Sequence, residues 1–214
     1  MNGVLPNEVT SINTLEILNL FGNSLSGALP ARLGKLPLTF LDIEMNAFSG
    51  NLFTESFLKL ADTLTILHAS FNQFSGAVPD SISKFSLLTE LWIGNNIFVG
   101  IIPESITSLE NLESLILKDN DFSGGIPSSI EKLSGLSVLL LDDNSLTGGI
   151  PEGMSELVKL KQLALNNNTL VGPIPAGFKN FKQMTTFRVF ENRLNGPIPV
   201  LTEMKFLGKF IQAF

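Results

Sequence analysis

Eight asparagines divide the 214-residue chain into units of nearly constant length. They fall at Asn23, Asn46, Asn72, Asn96, Asn120, Asn144, Asn168 and Asn192, so successive spacings are 23, 26 and then five times 24 residues. A unit this short cannot bury an apolar face alone, so a regular period forces neighbouring units to stack and share one core. The unit reads L-x-x-L-x-L-x-x-N-x-[LF]-x-G-x-[ILV]-P. One copy is Leu112, Leu115, Leu117, Asn120, Phe122, Gly124, Ile126 and Pro127; the next is Leu136, Leu139, Leu141, Asn144, Leu146, Gly148, Ile150 and Pro151. Between copies runs a polar stretch with two apolar anchors three apart, such as Ile106 and Leu109, or Ile130 and Leu133.

The L-x-L alternation predicts a short strand with its leucines on one face. Stacked units make these strands parallel and about 4.8 Å apart, so eight span roughly 40 Å. Each repeat asparagine ends its strand and turns inward. A buried amide needs partners, and the backbone groups freed at the turn supply them. Repetition makes an asparagine ladder. Glycine permits the positive φ of the turn, and the following proline stops strand pairing. In the segment LKQLALNNNTLVGPIP, Asn168 is the ladder residue, whereas Asn166 and Asn167 are expected on the outward side, free of structural duty.

This pattern resembles the leucine-rich repeat family, in its plant-type subclass with the L-x-G-x-I-P extension, over essentially the whole chain. The resemblance implies an α/β fold: a right-handed, horseshoe-shaped solenoid with a parallel concave β-sheet and short helical or 3-10 segments on the convex side. It also implies a single domain over residues 1–214, with eight full repeats and a partial repeat at each end. Members usually bind ligands through variable strand residues on the concave face.

Two irregularities interrupt the period. After Gly50 the second copy has Leu52-Phe53 where proline is expected, and the next strand arrives two residues late through TESFLKLADTL. This predicts a slightly longer convex helix around Ser56 to Leu60. At the ends, Gly3-Val4-Leu5-Pro6 matches only the second half of a repeat, and Ile211 and Ala213 occupy strand positions whose ladder asparagine would lie beyond Phe214. Neither end carries the cysteine-bearing cap usual in extracellular members. The ends read as a fragment, or incomplete gene product, of a longer array, with a signal peptide, membrane span or kinase domain left to flanking sequence.

Composition narrows function. A net charge of −6 disfavours a nucleic-acid footprint, which needs a basic stripe. No cysteine, one histidine and no tyrosine leave little for catalysis or thiolate metal binding. No run of about 18 apolar residues offers a membrane span, and the N-terminus MNGVLPNEV lacks the features of a signal peptide. Asp119, Asp121, Ser123 and Gly124 begin like a calcium loop, but Ile130 stands where its bidentate glutamate belongs. Asp42, His68 and Ser70 lie on adjacent strands without the oxyanion hole and enclosure that hydrolysis needs. Ser81 and Lys84 match S-x-x-K only by letters, within a convex spacer. We therefore expect no catalytic residues, no metal and no cofactor.

The register defines the concave columns. The column between the two inner leucines contains His68, Trp92, Ile116 and Leu140 in succession and ends at Arg188. The next contains Glu44, Lys118, Asp142 and Phe190. An apolar strip facing solvent marks an interaction site, and tryptophan is enriched in binding hot spots. Its acidic margin of Asp119, Asp142 and Asp143, with Asp42 and Glu44 further along, suits a basic or amphipathic protein or peptide. His68, Trp92, Ile116, Leu140, Lys118, Asp142, Arg188 and Phe190 are thus the expected ligand-binding residues. The family's peptide-sensing receptor kinases often hold a ligand carboxylate with Arg-x-Arg; here Phe190 follows Arg188 at that spacing, so the pair is absent. Asn167-Asn168-Thr169 is an N-glycosylation sequon, with Asn167 as acceptor if the chain is secreted. The resulting expectation is a non-catalytic recognition module, extracellular or at the cell surface, of a receptor-like or secreted protein. The alternatives are a secreted enzyme inhibitor like the polygalacturonase inhibitors that share this repeat, and a structural spacer.

Overall fold

The computed structural model describes residues 2–197 and 199. The strand positions expected at Ile211 and Ala213 lie outside the described residues. Eight inner strands of three residues each, from Ile17–Asn19 to Thr186–Arg188, form one parallel sheet in strict sequence order. Register is exact from repeat to repeat: Leu67 faces Leu91, Leu91 faces Leu115, and Leu115 faces Leu139. A second set of parallel strands follows the ladder turns. It runs from Asn2–Val4 through Ala47–Asn51 and Ile97–Ile101 to Ser145–Leu146, with Val171–Gly172 and Arg193–Leu194 paired beyond it. The half-repeat at the N-terminus therefore pairs in register, Gly3 against Leu25.

The convex side is made of 3-10 turns such as Asp80–Lys84 and Glu104–Ser108. Pro6, Pro30, Pro79, Pro103, Pro151 and Pro175 each precede one. A proline there needs no N–H partner and enters the turn with φ already set. Where the second copy lacks proline, the convex segment is the six-residue Phe57–Asp62, the longer helix expected from the late strand. Its approach is close: Ser56 Oγ donates to the Ala31 carbonyl, and a Cβ on Gly34 would collide with the Ser56 carbonyl oxygen.

Leucines from the inner strands and anchors from the convex turns fill one continuous core, with Leu67, Leu91, Leu88, Leu112 and Leu139 fully buried. Phenylalanines one repeat apart stack within it. Phe48 and Phe74 lie 6.3 Å apart at 10°, and Phe98 and Phe122 lie 6.2 Å apart at 7°.

The asparagines form the expected ladder. Asn120 Nδ2 donates to Leu117 and Lys118 carbonyls of its own turn and to Ile93 of the preceding repeat, at 3.1, 3.2 and 3.0 Å. Its Oδ1 accepts the Phe98 amide at 2.9 Å. Asn72, Asn96, Asn144 and Asn168 repeat this arrangement. A second ladder, of hydroxyls, runs along the opposite margin of the inner sheet. Thr65 Oγ1 donates to the Thr39 carbonyl at 2.8 Å, Thr89 to Thr65 at 3.1 Å, Ser137 to Glu113 at 3.1 Å and Thr185 to Lys161 at 2.9 Å.

The two ladders should differ in weight. Asn120→Ala strands buried carbonyls and an amide, and should cost about 2–4 kcal/mol, whereas Thr89→Val, beside the solvent margin, should cost about 1 kcal/mol or less. Urea midpoints of the two variants against the parent measure this; equal costs would mean the amide column is not the principal inter-repeat tie.

Candidate ligand-binding face

Alternation along each inner strand leaves three outward columns. The middle one is organised around His68. Its ring stacks on Trp92 with centroids 3.6 Å apart at 6°, and meets the edge of Phe40 at 5.9 Å. His68 Nε2 lies 2.7 Å from Glu90 Oε2, and Trp92 Nε1 donates to Ser114 Oγ at 2.8 Å. The four residues His68, Trp92, Ile116 and Leu140 do form one column across consecutive strands. All four are half-buried, so the strip is packed along its own length and open only at the concave surface. Arg188 is exposed and Phe190 half-buried at the last described inner strand.

Phe40, Glu90 and Ser114 belong to a flanking outward column that the sequence reading omits. The same period-two alternation, extended one step toward the strand start, finds them.

The acidic margin differs from expectation. Asp142 is 7% exposed and Asn166 4% exposed, so neither is a free outward residue. Asn167 is also engaged: its Nδ2 donates to Asp143 Oδ1, and a glycan on that nitrogen would displace the bond. The cause is the turn. Every residue before ladder asparagines 46 to 192 adopts left-handed backbone: Met45, Phe71, Asn95, Asp119, Asp143, Asn167 and Glu191 have φ between 51° and 55°. This tight turn folds the strand end over its neighbours. Asn95 Nδ2 donates to Asp119 Oδ2 at 2.8 Å, and Lys118 Nζ lies 3.9 Å from the same oxygen.

The calcium-loop resemblance dissolves in three dimensions, because Asp121–Gly124 is an outer strand paired with Ile97–Ile101. Asp42, Glu44 and His68, in contrast, place one ligand-type atom each within 4.8 Å of one another, the one such group among the described residues. One imidazole and two carboxylates form a donor set that transition metals accept. Here Asp42 Oδ1 accepts the Glu44 amide, and Glu44 bonds Ser70. His68 turns Nε2 to Glu90, 2.7 Å away.

The leucine-rich repeat model matches residues 14–36, 63–85, 87–109, 111–133, 135–157 and 159–181, more than half of the chain. The chain belongs to the leucine-rich repeat family. Among Arabidopsis thaliana proteins it is 42% identical to Receptor-like protein 43 over 91 residues, 42% of this chain and 12% of that protein. It is 32% identical to Receptor-like protein 36 over 78 residues, 36% of this chain and 11% of that protein. The matches thus span only a small part of these relatives' length. The fold superposes on the plant peptide hormone receptor RGFR1, solved in complex with RGF2, with TM-score 0.81 and 30% identity over 95% of this chain and 36% of that one. It likewise matches the ectodomain of the Arabidopsis membrane receptor kinase GASSHO1/SCHENGEN3, solved with CASPARIAN STRIP INTEGRITY FACTOR 2, with TM-score 0.80 and 29% identity over 95% of this chain and 27% of that one. Among the described residues no helix is long and apolar enough to cross a membrane.

In this leucine-rich repeat array two concave carboxyls are raised from their ordinary values. Burial pushes Asp142 up, against relief from its own backbone amide and from Lys118. Burial also raises Glu44, partly offset by its hydrogen bond to Ser70. A carboxyl raised on folding favours the folded state while protonated, and that contribution disappears as pH rises through its folded-state pKa. Asp142→Asn should therefore raise the urea midpoint at pH 7, and the gain should shrink as pH falls to about 4. A variant less stable than the parent at pH 7 would show that the Asp142 charge is compensated.

Proposed function

We propose that the chain is a non-catalytic recognition module that binds a basic or amphipathic peptide or protein segment across its concave face. In this reading residues 1–214 act as one unit, extracellular or at the cell surface, within a receptor-like or secreted protein. The observation that carries it is the column of His68, Trp92, Ile116 and Leu140. It is apolar at its centre, rigid through stacking and hydrogen bonding, and bordered by acidic groups. Side chains already held in place lose little freedom on binding, so contact area turns into affinity with small ordering cost. The plant peptide hormone receptor RGFR1, of the same fold and solved with RGF2, supports a ligand of this class. Arg188 and Phe190 extend the face toward the last repeats, and Lys118 and Asp142 give it polarity.

Panning a random-peptide display library on the 214-residue chain and on Trp92→Ala tests this. The parent should enrich basic or amphipathic sequences, and the variant should bind them at least about tenfold more weakly, since a desolvated tryptophan anchor is commonly worth over 1.4 kcal/mol. Circular dichroism melts of both confirm that the variant keeps its fold. Equal enrichment on parent and folded variant would move the site off this column, and no enrichment on the parent would sink the peptide-binding reading.

A further inference from the structure

Beside the apolar column, four consecutive repeats bring together Asn95, Lys118, Asp119, Asp142, Asp143, Asn166 and Asn167. Their internal bonds use few of their acceptors: Asn95 donates to Asp119, Asn167 donates to Asp143, and Lys118 lies 3.9 Å from Asp119. Four side-chain oxygens here are buried and accept no hydrogen bond: Asn95 Oδ1, Asp142 Oδ1, Asn166 Oδ1 and Asn167 Oδ1. Asp142 and Asn166, at 7% and 4% exposed, are the most enclosed of them. Native proteins pair nearly all buried polar atoms, so such a group of orphans calls for donors from outside the chain, ordered water or a ligand.

The chemistry of the orphans defines that partner. All four are acceptors, so a ligand that takes the place of water must donate several hydrogen bonds. Three aspartates against one lysine leave the corner negative, so it must be cationic. Calcium is cationic and takes carboxylate and amide oxygens but donates no hydrogen bond, so it is the competing occupant. An ammonium with three N–H donors, or a guanidinium with five, meets both conditions. Position adds the rest. Leu140 and Asp142 stand two residues apart along one repeat, a rise of roughly 6–7 Å. A long basic side chain lays its apolar stem on such a surface while its head reaches polar groups.

We propose that the corner formed by Asp142, Asn166 and Asn167 is a subsite for the ammonium or guanidinium head of a lysine or arginine side chain of the ligand. The proposal rests on the concave-face reading for the source of that side chain, but the cation subsite is testable without it. Asp142→Asn keeps the shape and removes the charge.

The test uses the ¹⁵N-labelled 214-residue chain, titrated at constant ionic strength with n-butylammonium, n-butylguanidinium, tetramethylammonium and calcium chlorides. Side-chain amide resonances of Asn166 and Asn167 are followed. The two N–H cations should shift them saturably, tetramethylammonium should not, and Asp142→Asn should weaken the response at least tenfold while remaining folded by thermal melt. Asp121→Asn, on the outer strand, should bind like the parent. Equal shifts with tetramethylammonium, an unchanged response in Asp142→Asn, or saturation by calcium alone would each overturn the subsite. Library panning separates the two ideas. Basic residues enriched equally on parent and Asp142→Asn would overturn the subsite and leave concave binding standing. A cation response without any peptide enrichment would keep the subsite and remove the peptide reading.

Discussion

From Asn46 to Asn192 each ladder asparagine divides its hydrogen bonds between two repeats: Asn120 donates to Leu117 and Lys118 of its own turn, and it exchanges bonds with Ile93 and Phe98 of the one before. Its turn is therefore completed only when the neighbour is in place. Stacking, register and the closing of each strand become one event, which is why eight three-residue strands can make a sheet at all. Strands this short would be marginal alone. The same bonding requires a sharp reversal just before the asparagine, met by left-handed backbone even at Met45, Phe71 and Glu191, where such conformations are disfavoured. Inter-repeat bonding at the ladder outweighs that local strain.

That rigid frame determines what the concave face offers. Its side-chain pairs run between repeats: His68 with Glu90, Trp92 with Ser114, and Asn95 with Asp119. A surface tied in this way is held in shape before any ligand arrives. The ladder also folds the acidic strand ends inward and leaves oxygen acceptors without donors at Asp142, Asn166 and Asn167. The apolar column and the electron-rich corner beside it are two consequences of one turn.

Much of this was readable in the residues. A period of 24 identified the solenoid, the leucines identified its core face, and the missing proline after Gly50 identified the longer convex segment that appears as Phe57–Asp62. The column from His68 to Leu140 followed from register alone. Other features were opaque. The hydroxyl ladder is interrupted by Glu113 and Lys161, so no uniform column of letters announces it. Asp142 and Asn166 look like solvent-facing polar residues, because alternation predicts direction and says nothing of how far the next turn covers them. The clustering of Asp42, Glu44 and His68 depends on side-chain rotamers across two strands.

The sequence by itself determined the repeat, the strand positions and the asparagine ladder, because each follows from a spacing that stacking must satisfy everywhere along the chain. Only the tertiary structure decided which outward residues are open and which are enclosed. Enclosure depends on backbone direction at the left-handed turn and on contacts to the adjacent repeat. Those are relations between residues about 24 positions apart, and a linear pattern records their identity without their distance.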